Sequence, residues 1–540
     1  MELTKNYKVI ADCRGMYEQE IIDVVMKNRG IKDIAHFLNP IESDLLSLES
    51  LRGIDSARQI IEDGLDNNKN FGVHWDVDLD GVASGTIMTR YLKNYTNRVS
   101  SYINVGKAHG LIGQDLKRFK DVDILIIVDS LDKNTSQYEK LYNMGTKVII
   151  LDHHAINHDA DYDKYATLIS SQREYGNPQL SGSGVVWKFC KYLDEYFMND
   201  YADNYVDLAA CGILADVCDV SENSKENRYI VSEGLKNLKN PAIKKIVGNY
   251  EFNSKAILFS IAPLINACCR TDRNDIAMSL FLSDENKEVL ALKKQLEECK
   301  QIQAEELEKV LPFVYEDLNR QKDTKVLYAI IDSRYGISGL IGSKCVDIYN
   351  KPVFILKDCG NKYCGSMRSV GYGNFMALCN NTKMAKLHGH EEASGIEIAK
   401  DKFEQFIKTV NKKLKIMEQA TSGETVVDCK INIEDITRAL VDRVKEINRV
   451  SGTGFKPLKF KVVNINEYCI SSFKNGKHLV ITPTDYIQLI EWNTKADYEE
   501  LENDALMNEP LEVIGELDSG WFMKKYMLKV IISNLKAGVA

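Results

Sequence analysis

The feature that most constrains this chain is a series of short apolar runs, several of them closed by acidic or imidazole residues. "NFGVHW", "DILIIV", "KVIIL" and "ATLIS" read as strands buried on both faces, and stretches such as "GTIMTRYLKNY" and "NTSQYEKLYNMG" between them read as helices. Strand alternating with helix predicts a parallel sheet covered by helices. The polar closures are Asp76, Asp78 and Asp80 in "HWDVDLDG", Asp129 in "IIVDS", and Asp152, His153 and His154 in "LDHH". Ligand sites of open α/β sheets lie at the carboxyl ends of strands, so the three closures are expected to converge.

In extended chain, Asp76, Asp78 and Asp80 would share one face at a spacing of about 6.6 Å. Neighbouring carboxylates there repel by roughly 2–3 kcal/mol at an effective dielectric of about 20, which calls for a counter-charge. The stretch matches the opening of a calcium-binding loop. Its twelfth position, however, is Ile87 instead of a bidentate glutamate, and its flank is strand-like where a helix should enter. A solvated turn accounts for the stretch taken alone. "LDHH" favours a transition-metal site, because imidazole beside carboxylate suits Mn²⁺, Fe²⁺ or Zn²⁺. Asp216, in "CGILADVCDV", ends an apolar helix-like segment. Alone it reads as a cap or turn residue; with the other closures it extends the set.

A chain of 540 residues exceeds one ordinary core, so two to four domains are expected. Net charge of −9 excludes coating of nucleic acid through bulk charge and leaves any polyanion to local basic patches. The thirteen cysteines form no CxxC pair and read as core residues of a reduced protein. "MELTKNYKVI" lacks a signal-peptide pattern and "ILIIV" is too short to cross a bilayer, so a cytoplasmic protein without membrane association is expected.

Residues 1 to 60 read as helical, and helices dominate from "GVVWKFCKYLDEYF" to about residue 280. The charged stretch from Asp284 to Leu311 reads as one connecting helix. A second α/β unit runs from "KVLYAIIDS" through "PVFILKD" and "YCGSMRS" to "DKFEQFIKTVNKKL". "QATSGET" reads as a linker, and "LKFKVVNI", "HLVITP", "YIQLIEW", "LEVIGEL" and "YMLKVIISNL" as strands of a small barrel.

"HWDVDLDGVASG", "IIVDS", "LDHH" and "ILADV", in this order, resemble the four motifs of the DHH phosphoesterase superfamily. Within it the chain resembles the RecJ-type single-strand-specific exonucleases along nearly its full length. "RGIKDIAHFLNP" resembles the family's lead-in, "SGSGVVWKF" its small-residue helix start, and "IAPLINACCR" its APRINAAGR segment. "GISGLIGSKCVDIYNKP", "GSMRS" and "HGHEEASG" resemble the DHH-associated domain, and "RVSGTGFKPLKF" the entry to an OB-fold. The resemblance implies a DHH catalytic domain over 1–282, a connecting helix over 283–314, a DHH-associated domain over 322–418 and an OB-like single-strand-binding barrel over 424–540.

It also implies roles. The metal ligands would be His74, Asp78, Asp80, Asp129, His153 and Asp216, holding two divalent ions with Mn²⁺ preferred and Mg²⁺ the alternative. Asp129 would bridge them, His154 would face the scissile phosphate, and Asp76 and Asp152 would support these groups. An acidified water would then attack phosphorus in line. Substrate contacts would come from Lys107, Ser183, Asn266, Arg270, Ser366, Arg368, Gly389 and His390. The match is not uniform. Lys107 stands in "GKAHGL" near the family's arginine, with a spacing to Gly110 one residue shorter; "PRIN" reads "PLIN"; His388 replaces a usual glycine.

The expectation is a metal-dependent 5′→3′ exonuclease on 5′-phosphorylated single-stranded DNA in repair or recombination, monomeric, with a helicase or single-strand-binding protein as partner. The alternatives are an oligonucleotide or cyclic-dinucleotide phosphodiesterase, an RNA-preferring exonuclease, or a non-catalytic single-strand-binding scaffold.

Overall fold

The computed structural model describes residues 7–419, 425–473, 477–492, 510–522 and 525–537. Its first element is a strand, β1 (Tyr7–Asp12), where the sequence reading expects helix. Helices Glu18–Asn28, Ile34–Leu38 and Ile54–Asp66 follow, as expected.

The first sheet comprises β2 (Phe71–Trp75), β3 (Val99–Ile103), β4 (Ile124–Val128), β5 (Lys147–Asp152) and β6 (Thr167–Ser170), in the order β3-β2-β4-β5-β6. All four pairings are parallel. Every residue of β2 and β4 is buried, which is why these strands read as unbroken apolar runs. The chain leaves β2 to one side for β3 and returns to the other side for β4. The resulting switch point opens a crevice at the carboxyl ends of β2 and β4. Helices Leu79–Lys93, Gly182–Phe197 and Val206–Ala215 share one core with this sheet.

Helix Asn286–Asn319 is 34 residues long, or roughly 50 Å at 1.5 Å per residue, and runs through Pro312. Its buried side chains recur at helical spacing but change partners along its length. Val289, Leu296 and Cys299 join the core beneath the first sheet, whereas Leu307, Val310, Val314 and Leu318 join that of the next unit. That unit holds β7 (Leu327–Ile330), β8 (Val353–Asp358), β9 (Lys362–Arg368), β10 (Ala385–Gly389) and β11 (Ala393–Ala399). Their order is β10-β11-β9-β8-β7, with only β7 and β8 parallel.

The expected linker "QATSGET" falls mostly outside the described residues. Beyond it lie β12 (Thr425–Asn432), β13 (Phe460–Ile465), β14 (Cys469–Phe473), β15 (His478–Thr484), β16 (Ile487–Glu491), β17 (Leu511–Phe522) and β18 (Lys525–Ala537). These seven and β1 form one eight-stranded sheet in the order β1-β12-β13-β17-β18-β16-β15-β14. Among the described residues its outer strands β1 and β14 do not pair, so the described sheet is open and the expected OB-like barrel is not confirmed. β1 lies parallel to β12, with Tyr7 opposite Thr425. The first strand of the chain thereby completes the last sheet. No described helix is long and apolar enough to cross a membrane.

Candidate metal and phosphate site

The three closures converge as expected. Asp78 follows β2 and caps helix Leu79–Lys93, accepting a hydrogen bond from Gly81 N at 3.1 Å. Asp80, in the first turn, accepts from Gly182 N at 2.8 Å and Ser183 N at 3.0 Å. Two amides at the start of helix Gly182–Phe197 thus fix both of its oxygens. Asp129 directly follows β4 with φ of +54°, a left-handed conformation that turns its carboxylate into the crevice. Asp152 ends β5; it accepts from Leu131 N at 2.9 Å and His154 N at 2.6 Å, and lies 3.1 Å from His154 Nδ1. Asp216 terminates helix Val206–Ala215. Gly212 in that helix permits the approach, because a Cβ there would come within 1.9 Å of Asp80 Oδ1.

His153 is the hub. Its Nε2 lies 3.1 Å from Asp129 Oδ1, 3.5 Å from Asp216 Oδ2 and 3.8 Å from Asp80 Oδ2. Three sets of ligand-type atoms lie within 4.8 Å of one another: Asp80, His153 and Asp216; Asp76, Asp78 and Asp129; Asp129, His153 and His154. Asp76 therefore stands with Asp78 and Asp129, although the sequence reading gives it a supporting role. His74 belongs to none of these sets; it is fully buried and both ring nitrogens lack a hydrogen-bond partner.

Electrostatics test whether cations fit. Burial, then repulsion from Asp76 and Asp80, pushes Asp78 up to about 7. Burial and Asp80 push Asp216 up to about 7, and burial with Asp80 and Asp78 drives Asp129 well above the usual carboxylate range. Asp129 Oδ1 is also buried without a hydrogen-bond donor. Buried oxygens that repel one another and leave an acceptor unused are the donor set of a divalent-cation site. His154 differs. Burial disfavours its cation, but the charge and hydrogen bond of Asp152 prevail and push it up to about 10.

One functional neighbour escapes the sequence reading. His109 Nδ1 lies 3.0 Å from Asp76 Oδ1, and its ring meets that of His154 edge-on at 4.8 Å. The available signal was its position in "GKAHGL", at the carboxyl end of β3, a neighbour of β2 in the sheet.

A second cluster, of opposite sign, lies beside the first. Lys107, Arg270, Arg368 and Lys357 act on one another across the first and second α/β units. Gly336 N donates to Arg270 O at 3.0 Å and joins the two units there. Burial, then the charges of Arg270, Arg368 and Lys357, holds Lys107 below its ordinary value; burial depresses Arg270 and Arg368 as well. Arg270 donates to Gln303 Oε1 at 3.0 Å, and Arg368 Nε to Ser343 Oγ at 3.3 Å. Ser366 Oγ lies 2.9 Å from Ser338 Oγ, at the start of helix Ser338–Tyr349. Cys269 senses both clusters: burial pushes its thiol up to about 12, with Lys107 opposing and Asp76 and Asp78 adding.

The remaining expected contacts divide. Asn266 lies one turn before Arg270 on helix Ala262–Arg270. Gly389 and His390 form the exposed turn between β10 and β11. Ser183 is fully buried, its amide engaged by Asp80 and its hydroxyl by Ala209 O at 3.3 Å, which leaves it no donor for a phosphate.

Known proteins resemble this chain. Residues 70–213 match the DHH family, N-terminal domain. The SPbeta prophage-derived protein YorK of Bacillus subtilis (strain 168) is 28% identical over 449 residues, covering 76% of each chain. The single-stranded-DNA-specific exonuclease RecJ of the same bacterium is 25% identical over 444 residues, which span 77% of this chain and 55% of that one. The crystal structure of RecJ in complex with Mn²⁺ from Thermus thermophilus superposes with a TM-score of 0.77 at 20% identity, covering 99% of this chain and 80% of that one.

Proposed function

We propose that this chain, a RecJ-type member of the DHH superfamily, is a metal-dependent exonuclease that degrades single-stranded DNA from a 5′-phosphorylated end. The observation that carries this reading is the pair of oppositely charged clusters, the acidic one buried and the basic one partly exposed, that adjoin at one crevice.

Asp80, His153 and Asp216 would hold one cation, and Asp76, Asp78 and Asp129 a second. Ions bound there supply Lewis-acid polarisation of the phosphodiester and acidify the attacking water. The protein supplies the rest. Amides of Gly182 and Ser183 hold both oxygens of Asp80 and aim them. Asp152 fixes Nδ1 of His154 and keeps the ring protonated, so that Nε2–H donates to a phosphate oxygen. Lys107, Arg270 and Arg368, with the hydroxyls of Ser338 and Ser366, form the receptor for a terminal 5′-phosphate, a group that arginine pairs through two parallel bonds. A terminal phosphate held beside the metal ligands places the first phosphodiester at the site of hydrolysis, and this sets the 5′→3′ direction. The C-terminal sheet, with Trp521 exposed on β17, would carry the strand that follows.

The test is product analysis on matched DNA and RNA strands, each with and without a 5′-phosphate, in Mn²⁺ and in Mg²⁺. Release of 5′-mononucleotides from phosphorylated DNA, fastest in Mn²⁺, is the expected outcome. Inert long strands beside rapidly cleaved dinucleotides would instead make the chain a short-oligonucleotide phosphodiesterase.

A further inference from the structure

The turn that carries Asp216 is strained. Val217, the next residue, has φ of +59° and a side chain 65% exposed. A β-branched residue is rarely found in the left-handed region, and such a conformation persists only where the surroundings over-determine it. Helix Val206–Ala215 supplies part of the restraint, through Asp216 N to Gly212 O at 2.9 Å and Cys218 N to Ile213 O at 3.1 Å.

The rest comes from about 230 residues downstream, from the loop that leads into β13. Val220 N donates to Thr453 O at 3.0 Å, and Asp219 pairs with Thr453 as a parallel bridge. Arg228, buried, donates to Val220 O at 3.0 Å, Val450 O at 3.2 Å and Phe37 O at 2.7 Å, tying three distant segments at one guanidinium. Gly454, at φ of +75°, sits so close to the turn that a Cβ would lie 1.8 Å from Asp219 Oδ1. The loop is itself anchored on the catalytic domain. Ser254 Oγ donates to Arg449 O at 2.7 Å and accepts from Ser451 N at 2.9 Å, and Val450 belongs to the catalytic core. Phe455 then packs edge-on against Phe37 at 4.8 Å.

We propose that the loop Arg449–Phe455 is a positioning element of the metal centre: it clamps the strained Asp216–Val217 turn, so that the loop between β12 and β13 of the C-terminal sheet sets the geometry of a cation ligand beside the first sheet. This rests on the reading of Asp216 as a ligand. Residues that orient a metal ligand from behind change affinity by about 10–100-fold when altered.

The experiment uses the full chain and compares Gly454→Ala with Gly452→Ala and Lys456→Ala. A Cβ at Gly452 would lie 3.3 Å from Leu214 Cδ2 and Val220 Cγ2, a milder push on the same turn, while Lys456 is exposed. Three quantities are measured: Mn²⁺ affinity by calorimetry, amide exchange of residues 216–220 without metal, and kcat and KM on a 5′-phosphorylated strand. Gly454→Ala is expected to weaken Mn²⁺ binding about tenfold or more, accelerate exchange at 216–220 and lower kcat with KM unchanged. Gly452→Ala should move all three in the same direction by less, and it carries the test if Gly454→Ala fails to fold. Lys456→Ala should move none. Folded glycine variants with the parent's Mn²⁺ affinity and exchange would overturn the proposal. If the parent chain binds no Mn²⁺ yet exchange accelerates in the variants, the metal reading falls and the clamp stands.

Discussion

The acidic and basic clusters are mirror images in charge but differ in how they are built. In both, burial disfavours the charged form: Asp78 and Asp216 are pushed up to about 7, while Lys107, Arg270 and Arg368 are pushed down. The acidic cluster is fixed by backbone, at a helix cap, at helix-start amides and at a left-handed residue, all within one domain. The basic cluster draws long side chains from two units and restrains them through hydroxyl and amide groups. Rigid backbone suits a site that keeps its cations through every turnover. Adjustable side chains suit one that captures and releases a phosphate each time.

The comparison breaks most completely at Asp129. Asp129→Ala removes the carboxylate that stands between the two ligand sets, and with it several kcal/mol of charge stabilisation. The expected result is a fall in kcat of about a thousandfold or more, with single-strand affinity measured by fluorescence anisotropy largely retained. Loss of binding together with turnover would mean that this carboxylate's cation also anchors the strand.

On the basic side, Arg368→Gln removes a charge-assisted pair worth about 1.5–3 kcal/mol. KM for a 5′-phosphorylated strand should rise roughly 10- to 100-fold, while kcat and the KM for a 5′-hydroxyl strand stay near the parent values. Equal losses on both strands would remove Arg368 from the phosphate receptor.

The acidic cluster should also reveal the mutual repulsion of its carboxylates through pH. In the metal-free fold Asp78 and Asp216 titrate near 7, against about 4 in an unfolded chain. Between these values the native state binds protons that the unfolded state has released, so stability falls as pH rises, by up to about 1.4 kcal/mol per pH unit for each group. His154, raised to about 10, extends the same sign above its unfolded value. Metal-free protein should therefore melt lower at pH 8 than at pH 5.5. Added Mn²⁺ should raise the melting temperature more at pH 8, where the ligands are already ionised. A stabilisation by Mn²⁺ that is independent of pH would contradict the assignment.

What the sequence made legible follows from locality. β2, β4 and β5 are buried on both faces, so each is written as an apolar run with its ligand at the carboxyl end. β1 is different. "YKVIAD" alternates between partly buried and exposed positions, and its partner β12 lies more than 400 residues away, so nothing near it in the chain marks it as a strand. Closure of the last sheet depends on pairing between its outer strands, which periodicity within any one strand does not encode. The basic cluster was legible only in part: Lys107, Arg270 and Arg368 sit in motifs, whereas Lys357, next to last in β8, belongs to none and joins the cluster only once the second unit is placed against the first.

The two clusters meet in the loop after β3, where Lys107 belongs to the basic cluster and His109, two residues on, contacts the acidic one. His109 is half exposed and Asp76 is buried, so their contact at 3.0 Å is a partly screened, charge-assisted bond. Burial opposes protonation of His109, but the hydrogen bond and charge of Asp76 outweigh it and raise its pKa. A protonated imidazole on Asp76 weakens that carboxylate as a cation ligand while holding it in place; a neutral one orients it and leaves its charge free. Acidic conditions should thus depress turnover partly through this pair. His109→Gln keeps a donor toward Asp76 but cannot become a cation. It should cost only about 0.5–1.5 kcal/mol, a two- to tenfold change in kcat at pH 8, and should shift the acid limb of the kcat profile to lower pH. An acid limb that stays where it was would assign that limb to Asp78 and Asp216, and would leave His109 as a support for Asp76 alone.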